Sequence, residues 1–381
     1  MQKIYVDSPA GLSALCDQIQ GKPWLALDTE FMRETTYYPK LCLLQIFDGE
    51  IAACVDPLVL DDLSPLLDIL YNPATTKVFH AARQDLEIFL HRWQRLPTPL
   101  FDTQPAAALL GQGDQVGYGP LVEQVLGIKL EKGHSRTDWS QRPLDPQQIA
   151  YAYEDVIYLG QLYLRMRQQL LDKGRLDWLT DDFAHLSEPA TYCTAPAEAW
   201  KRVKGLQVLR GVQYAVLQAL AAWRETEAES SDRPRRRLLQ DELLIDMARR
   251  MPRQLGELGK IRGMRDKDLE RWGKTWLELI DQARQTPREL WPEPKIRQRL
   301  EPQDEAKVDL LFAGLRLIAE AEGLSPAAVA TRKDLEALVR GDEDAILLSG
   351  WQGRVVGKKL CALLEGKAQI GISQGQISLR D

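Results

Sequence analysis

The sequence predicts an α/β domain with a mixed sheet, followed by two small all-helical domains. Over residues 1–190, short apolar runs typical of strands come first, and strand-like and helix-like segments alternate after them. Beyond that point only helical periodicity remains, in two stretches at 197–286 and 303–375, and proline-rich segments bracket the first of these. We therefore expect three domains with these boundaries.

Composition is that of an ordinary folded protein. The 381 residues are 44% hydrophobic and 27% charged, which is enough for several separate cores. The first residues do not form a basic segment followed by an apolar one, and the sequence has no long uncharged apolar run, so we expect a cytoplasmic protein without membrane partners. Five scattered cysteines without CxxC spacing predict neither a disulfide framework nor a thiolate zinc site.

Charge is distributed unevenly along the chain, although the net charge is -6. Residues 201–300 contain 23 lysines and arginines against 15 aspartates and glutamates, a net charge of +8, and the rest of the chain has a net charge of -14. A basic middle region predicts a module that meets a polyanion. A solvated basic helix face is the alternative for any single cluster, such as residues 233–237.

The first domain opens with a helix-like segment at 9–20 and three apolar runs. These are WLALDTEF at 24–31, KLCLLQIF at 40–47 and IAACVDP at 51–57, and they predict three adjacent antiparallel strands. Four predicted helices and one predicted strand follow in the order LSPLLDILYN (helix), TKVFHA (strand), ARQDLEIFLHRWQRL (helix), FDTQPAAALLG (helix) and YGPLVEQVLG (helix).

The last helix of this domain has a well-defined start. Asp145 is expected at the N-cap, Pro146 at the first helical position and Gln148 at the third, which is the pattern of a capping box. With the register fixed in this way, Tyr151 and Asp155 stand four residues apart on one face of the helix.

Two carboxylates, Asp28 and Glu30, lie within the first apolar run. Because side chains alternate along a strand, both point to the same face, opposite Leu25, Leu27 and Thr29. Carboxylates this close repel each other unless a proton or a cation lies between them, so a metal site is one candidate. The alternative is a strand end that turns out to solvent.

Two further acids complete a possible set. Asp85 lies one turn into the helix after the TKVFH strand, where it could simply compensate the helix dipole, and Asp155 alone could be an exposed helix acid. Together with Asp28 and Glu30, they supply hard oxygen ligands from several elements. Such a set is what a site for two Mg²⁺ or Mn²⁺ ions requires.

At these residues the sequence resembles a known family. LALDTEF, FHAARQDLE and YAYEDV resemble the three motifs of the DEDD superfamily of 3′–5′ exonucleases, which have a ribonuclease H-like fold. The spacing of Tyr151 and Asp155 matches the tyrosine branch, since the histidine branch would have His where this chain has Ala150. The two helical modules resemble HRDC domains.

The resemblance implies roles for five residues. Asp28, Glu30 and Asp155 would hold one divalent ion, with Asp28 shared with a second ion that Asp85 holds. Tyr151 would orient the attacking water, although a half-buried helix tyrosine without a catalytic role is the alternative.

Two stretches could contact the substrate. Aromatic or apolar residues after the first strand could stack on a single-stranded end, and a long irregular stretch at 129–144 could form a phosphate-contacting lid. The alternatives are a loop with incidental aromatics and a plain connector. The candidate residues are Met32, Tyr37, Tyr38, Lys132, His134, Arg136 and Trp139.

The resemblance also implies the reaction and its partner. Hydrolysis of 3′-terminal phosphodiesters would release nucleoside 5′-monophosphates, with 3′ trimming of transfer RNA precursors and other small structured RNAs as the role. The basic middle region would hold the body of an RNA that has a single-stranded 3′ end, and the protein is expected to be a monomer. A DNA repair exonuclease and a noncatalytic RNA-binding scaffold are the alternatives.

Overall fold

The structure is a computed structural model that describes residues 1–130, 137–294 and 300–380. Among these residues, none of the helices combines the length and the apolar character needed to cross a membrane. The predicted cytoplasmic location stays a prediction.

Eight strands and seventeen α-helices are described. The strands are β1 Gln2–Val6, β2 Trp24–Met32, β3 Lys40–Phe47, β4 Ile51–Val55, β5 Thr76–Phe79, β6 Leu100–Asp102, β7 Gln369–Ser373 and β8 Gln376–Arg380. The helices up to residue 190 are α1 Pro9–Ile19, α2 Ser64–Leu70, α3 Arg83–Trp93, α4 Thr103–Leu109, α5 Tyr118–Leu126, α6 Pro146–Asp172 and α7 Thr180–Leu186. The later helices are α8 Val212–Ser230, α9 Arg235–Leu238, α10 Asp241–Arg250, α11 Leu255–Leu258, α12 Asp266–Arg284, α13 Pro302–Glu322, α14 Pro326–Val329, α15 Arg332–Arg340, α16 Gly350–Gln352 and α17 Lys358–Leu364.

The chain divides into two compact units. Unit 1 comprises the described parts of 1–31, 41–191 and 299–381, and unit 2 comprises the described parts of 32–40 and 192–298. Unit 2 therefore contains the short segment that follows β2 as well as the helices of the middle region.

The sheet of unit 1 has six strands in the order β1-β4-β3-β2-β5-β6. β1 pairs parallel with β4, β5 pairs parallel with β2 and β6, and β3 pairs antiparallel with β4, so the sheet is mixed as predicted. The three apolar runs do form the adjacent strands β2, β3 and β4. β1 was not predicted, although Ile4, Tyr5 and Val6 are good strand formers, because the run is only five residues long and its pairing with β4 is not visible in the sequence.

The centre of the sheet is covered on both faces. Every residue of β3 except Lys40 is buried, which is why KLCLLQIF reads as a continuous apolar run rather than an alternating one. The long helix α6 lies close to this sheet at Gly160, where an added Cβ would stand 2.6 Å from the ring of Phe47. Only a glycine permits so close an approach without a shift of the ring.

The C-terminal helices of unit 1 pack against its α/β part. Buried Arg175 donates from Nη1 to the carbonyl oxygen of Leu109 at 3.1 Å and from Nη2 to that of Glu322 at 2.6 Å. Trp178 stacks on Trp351 with ring centroids 4.7 Å apart and planes within 5°. Polar and aromatic contacts together hold the C-terminal helices in unit 1.

A β-hairpin ends the described chain and was not predicted. β7 and β8 pair antiparallel, and the two residues between their ends, Gln374 and Gly375, both have positive φ angles, of 52° and 78°. Two successive positive φ angles are typical of a type I′ hairpin turn, whose twist matches that of the flanking strands.

Unit 2 has a core built around tryptophans. Helices α8 and α12 bring the ring of Trp223 to 5.4 Å from that of Trp276, and Trp272 lies 6.1 Å from Trp276. Trp200, which precedes α8 in a short 3-10 helix, is buried in the same core. The helical prediction for this region is confirmed.

Candidate active site

Three carboxylates from two elements meet at one point. Oxygen atoms of Asp28 and Glu30 on β2 and of Asp155 on α6 all lie within 4.8 Å of one another. The two strand acids are half-buried, and Asp155 is buried. The alternative of a strand end turned out to solvent is therefore excluded by their position.

The sequence features identified at the start of α6 explain where Asp155 lies. Asp145 accepts a hydrogen bond from the backbone N–H of Gln147, and the side chain of Gln148 accepts one from the N–H of Asp145. This capping box fixes the first turn. Asp155 is then carried to the sheet on the same helix that approaches Phe47 at Gly160.

Asp85 occupies a separate position beside this cluster. It is buried in the first turn of α3, and its Oδ1 accepts a hydrogen bond of 2.5 Å from the hydroxyl of Thr29. Thr29 lies between Asp28 and Glu30 in the sequence but points to the other face of β2. The same three-residue stretch thus provides two acids and the residue that holds the fourth acid.

The turn before α3 is held by Asp102, a residue that the sequence analysis did not identify. Its carboxylate accepts hydrogen bonds from the backbone N–H groups of Ala81 and Ala82, each at 2.9 Å, and it also caps α4. Ala81 has a φ of 57°, which is unusual for a residue with a Cβ. Asp102 thereby stabilises the turn from which Asp85 is presented.

Burial and mutual repulsion raise the pKa values of these four carboxyl groups above those of free carboxyl groups. Burial raises the pKa of Asp28 to about 6. Burial, followed by the charges of Asp28, Asp155 and Asp85, raises the pKa of Glu30 to about 10. The pKa values of Asp85 and Asp155 are also raised, first by burial and then by the charge of Asp28. Such a cluster favours a bound cation, which would balance the negative charges.

Tyr151 lies one turn before Asp155, as the spacing predicted. It hydrogen-bonds the Asp155 carboxylate, and burial together with that negative charge raises the pKa of the phenol. The phenol therefore stays protonated and acts as a donor at neutral pH. Trp139 packs with its ring 6.3 Å from that of Tyr151.

Two more residues near the acids were missed by the sequence analysis. The hydroxyl of Tyr118, at the start of α5, donates to the backbone oxygen of Asp155. His80 lies with its ring 5.5 Å from that of Tyr118, and burial lowers its pKa to about 4, so it is neutral at pH 7. His80 stands inside the FHAARQ motif, but only the fold brings Tyr118 to it.

The candidate substrate-binding residues lie in different surroundings. Trp139 is only 1% exposed, so its ring supports Tyr151 and offers no open face to a base. Tyr37 and Tyr38 belong to unit 2, where their hydroxyls donate to Glu225 at 2.5 Å and Glu229 at 2.7 Å. Their contact with substrate stays a prediction.

The remaining substrate candidates lie at the end of β2 or outside the described residues. Met32 is the half-buried last residue of β2 and belongs to unit 2. Lys132, His134 and Arg136 lie outside the described residues. The predicted phosphate-contacting lid is therefore untested.

The donor set fits hard divalent cations. Asp28, Glu30, Asp85 and Asp155 offer carboxylate oxygens alone, and neither a thiol nor an imidazole belongs to the three-acid cluster found among the described residues. Oxygen-only sites suit Mg²⁺ and Mn²⁺ better than softer ions.

Comparisons with known proteins agree with this geometry. A family model described as a 3′-5′ exonuclease matches residues 4–171, and a model of the HRDC domain matches residues 213–280. The fold and the matched family model together define this chain as a 3′–5′ exonuclease. This fold implies the use of divalent metal ions.

Full-length relatives give the family. The chain is 40% identical to ribonuclease D of Zymomonas mobilis, over 98% of this chain and 97% of the relative. It is 39% identical to ribonuclease D of Sphingobium indicum, over 97% and 96%. The crystal structure of Escherichia coli RNase D, described as an exoribonuclease involved in structured RNA processing, superposes with a TM-score of 0.85 at 34% identity, over 97% of this chain and all of that one. The chain belongs to the ribonuclease D family and is an exoribonuclease.

Proposed function

We propose that the protein shortens structured RNAs from the 3′ end, one nucleoside 5′-monophosphate at a time, and that transfer RNA precursors are among its substrates. The observation that carries this proposal is the meeting of Asp28, Glu30 and Asp155 within 4.8 Å, next to the buried Asp85. The E. coli relative that acts in structured RNA processing supports the substrate class.

Each acid has a proposed place in the site. Asp28, Glu30 and Asp155 would hold one Mg²⁺ or Mn²⁺ ion, and Asp85 and Asp28 would hold a second. Bound divalent ions supply the positive charge that makes water a better nucleophile at neutral pH and stabilises the negative charge of the leaving oxygen. Thr29 keeps the Asp85 carboxylate in one orientation through its hydrogen bond.

Tyr151 and its neighbours position the attacking water. The single phenol proton is donated to Asp155, so in the complex with RNA the phenol oxygen would accept a hydrogen bond from the attacking water and orient a lone pair of that water toward phosphorus. The ring of Trp139 packs beside the ring of Tyr151 and restricts its movement. The water adds to phosphorus and gives up a proton, the bond to the 3′ oxygen of the penultimate nucleotide breaks, and that oxygen takes up a proton. The phosphate stays on the 5′ oxygen of the released nucleotide.

RNA with a single-stranded 3′ end is the proposed partner, and the protein acts as a monomer. The basic composition of 201–300 supports binding of the RNA body through backbone phosphates. Phosphate contacts of this kind select by shape rather than by base sequence.

Digestion of a 3′-extended transfer RNA labelled at its 5′ end tests the proposal. In Mg²⁺ the wild type should give a ladder that shortens from the 3′ end, and EDTA should abolish it. Asp28→Ala and Asp155→Ala should each lower the rate by at least about 10³-fold, since each removes a ligand of the ions that stabilise the transition state.

Glu154→Ala is the matched control, because Glu154 neighbours Asp155 but is exposed on α6. It should keep nearly full activity. Turnover that survives Asp28→Ala would contradict the roles assigned to the acids. Preference for a DNA strand of the same sequence would redirect the proposal to DNA ends, and intact RNA with folded wild type would leave only a scaffold role.

A further inference from the structure

Unit 2 contains a pocket lined by arginines. Its volume is about 370 Å³, and all its lining residues belong to unit 2. Five arginines line it: Arg33, Arg202, Arg224, Arg235 and Arg236. They come from three separate parts of the sequence, namely the segment after β2, the turn before α8, and α8 with the residues that follow it.

The positive charge of the pocket is only partly balanced. Two carboxylates line it: Asp241 accepts from Nη1 of Arg224 at 2.7 Å, and Glu225 forms an ion pair with Arg235. Both acids are buried, so they are committed to these pairs. Two further arginines, Arg202 and Arg236, contribute charge that neither of these acids balances.

A buried donor at the pocket is left without a partner. Arg224 is 5% exposed, and its Nη1 donates to the Leu239 carbonyl oxygen at 2.9 Å as well as to Asp241. Its Nε–H has no hydrogen-bond partner among the described residues. Because this Nε–H is itself buried, it lies behind the pocket surface, and the exposed Arg202 and Arg236 are the donors open to a ligand.

Phosphate is the acceptor that fits this arrangement. Guanidinium groups offer paired N–H donors that match the oxygens of a phosphate, and they stay charged at every physiological pH. The pocket is larger than one phosphate group and falls in the size range of pockets that take whole small ligands. It can therefore hold a phosphate together with the sugar attached to it.

We infer that this pocket binds a backbone phosphate of the RNA body, as an anchoring site separate from the carboxylate cluster. The inference rests on the proposed function for the identity of the ligand as RNA, but not on the roles of the four acids. A free nucleotide is the other source of the same phosphate chemistry, and the test separates the two.

RNA binding measured in EDTA tests the site without turnover. The ligand is a fluorescently labelled hairpin RNA with a single-stranded 3′ tail, and the readout is anisotropy over a series of salt concentrations. Arg202→Ala and Arg236→Ala remove exposed side chains that line the pocket. Each should raise Kd about threefold and the double variant about tenfold, with a salt slope lower by about 1 to 2, as for lost phosphate contacts.

Arg250→Ala is the matched control. Arg250 is an exposed arginine of unit 2 at the end of α10, and it does not line the pocket. Its Kd and salt slope should stay within about twofold of wild type. Thermal melting of every variant verifies that the fold is retained.

The second experiment measures nucleotide binding. Adenosine 5′-monophosphate is titrated by calorimetry into wild type and into the double variant. If the double variant binds RNA with the Kd and salt slope of wild type, the inference is overturned. If that variant has also lost nucleotide binding, the pocket is assigned to free nucleotides. A failure of the Asp28→Ala test leaves this binding result interpretable, because the binding is measured without metal.

Discussion

Three consecutive side chains of β2 all serve the site, on both faces of the strand. Asp28 and Glu30 enter the carboxylate cluster, and Thr29 donates to Asp85 from the opposite face. The arrangement concentrates acids where they repel each other, so the folded protein without a metal ion binds protons more tightly than the unfolded chain does.

The stability of the metal-free protein should therefore depend on Asp28 in a defined direction of pH. The pKa of Asp28 is about 6 in the folded state, above the value of an unfolded chain. Protonated Asp28 therefore contributes stability to the folded state. This contribution is fully present below the pKa of Asp28 in the unfolded chain and is lost as the pH rises through about 6. Asp28→Asn removes this dependence, so in EDTA it should be more stable than wild type by about 3 kcal/mol at pH 7.5 and nearly equal to it at pH 4.

Thermal unfolding in EDTA and in Mn²⁺ measures this effect. The ion should raise the Tm of wild type at pH 7.5 and have little effect on Asp28→Asn. Glu154→Gln, which neutralises an exposed neighbour of the site, should follow wild type in both buffers. A pH profile of Asp28→Asn parallel to that of wild type would contradict the raised pKa.

Site residues that belong to local sequence motifs could be predicted from the sequence. Residues whose role depends on contacts made in the folded protein could not. Asp28, Glu30 and Asp155 were placed together because strand alternation and a capping box fix their directions locally. Asp102 and Tyr118 were missed because their partners lie 20 or more residues away, at Ala81, Ala82 and Asp155. Neither residue has a local spacing that indicates its role.

Helix α6 sets the position of one side of the site. Its capping box fixes the start, and Gly160 allows the helix to come close to the sheet near Phe47 and Trp24. Asp155 lies between these two points. The distance from α6 to β2 is therefore controlled at a residue without a side chain.

Gly160→Ala should push α6 away from the sheet. The added Cβ would stand 2.6 Å from the buried ring of Phe47 and 3.0 Å from the half-buried ring of Trp24, and these two rings pack edge to face against each other. We expect a loss of about 1 to 2 kcal/mol, which is the overpacking cost minus the better helix propensity of alanine. The cleavage rate should fall severalfold, since Asp155 moves away from Asp28.

Gly119→Ala is the control for this change. Gly119 is also helical, in α5, but its added Cβ would meet nothing within 4 Å. It should be neutral or slightly stabilising in chemical denaturation, with an unchanged cleavage rate. Wild-type stability in Gly160→Ala would show that the ring of Phe47 can move at no cost.

Secondary-structure elements with a long hydrophobic pattern were predicted from the sequence. Short strands that form only by pairing with another strand were missed. α6 and the three adjacent central strands follow from their patterns. β1, β6 and the hairpin of β7 and β8 are short, and their residues become strands only because a partner strand offers hydrogen bonds. FDTQPAAALLG was expected to be helical throughout, but its first two residues belong to β6.

The chain leaves unit 1 and later returns to it. Arg175, at the end of the α/β part, binds the backbone oxygens of Leu109 and Glu322, which are 213 residues apart in the sequence. This single buried side chain therefore links the C-terminal helices to the first part of the unit.

Arg175→Ala should loosen the C-terminal helices. Two carbonyl oxygens lose a charged donor in a buried place, so the expected loss is about 2 to 4 kcal/mol. Limited trypsin digestion should cleave the C-terminal helices sooner than in wild type. Lys173→Ala, an exposed change two residues earlier, should leave the digestion pattern unaltered apart from its own site. Equal cleavage rates would show that the stacked tryptophans suffice.

The division of the molecule was the least accessible to prediction. The helical character of the middle region and its basic charge follow from composition. The assignment of residues 32–40 to unit 2 does not, because it depends on contacts with residues nearly 200 positions later. The three predicted domains stay a prediction.

That long separation has a consequence for synthesis. The backbone N–H groups of Tyr37 and Tyr38 donate to Asp232, and their hydroxyls donate to Glu225 and Glu229. At a ribosomal rate of about 5–20 residues per second, these tyrosines wait roughly 10 to 40 s for their partners to be made. The segment directly after the strand that carries the first two acids therefore completes its contacts long after it has itself been translated.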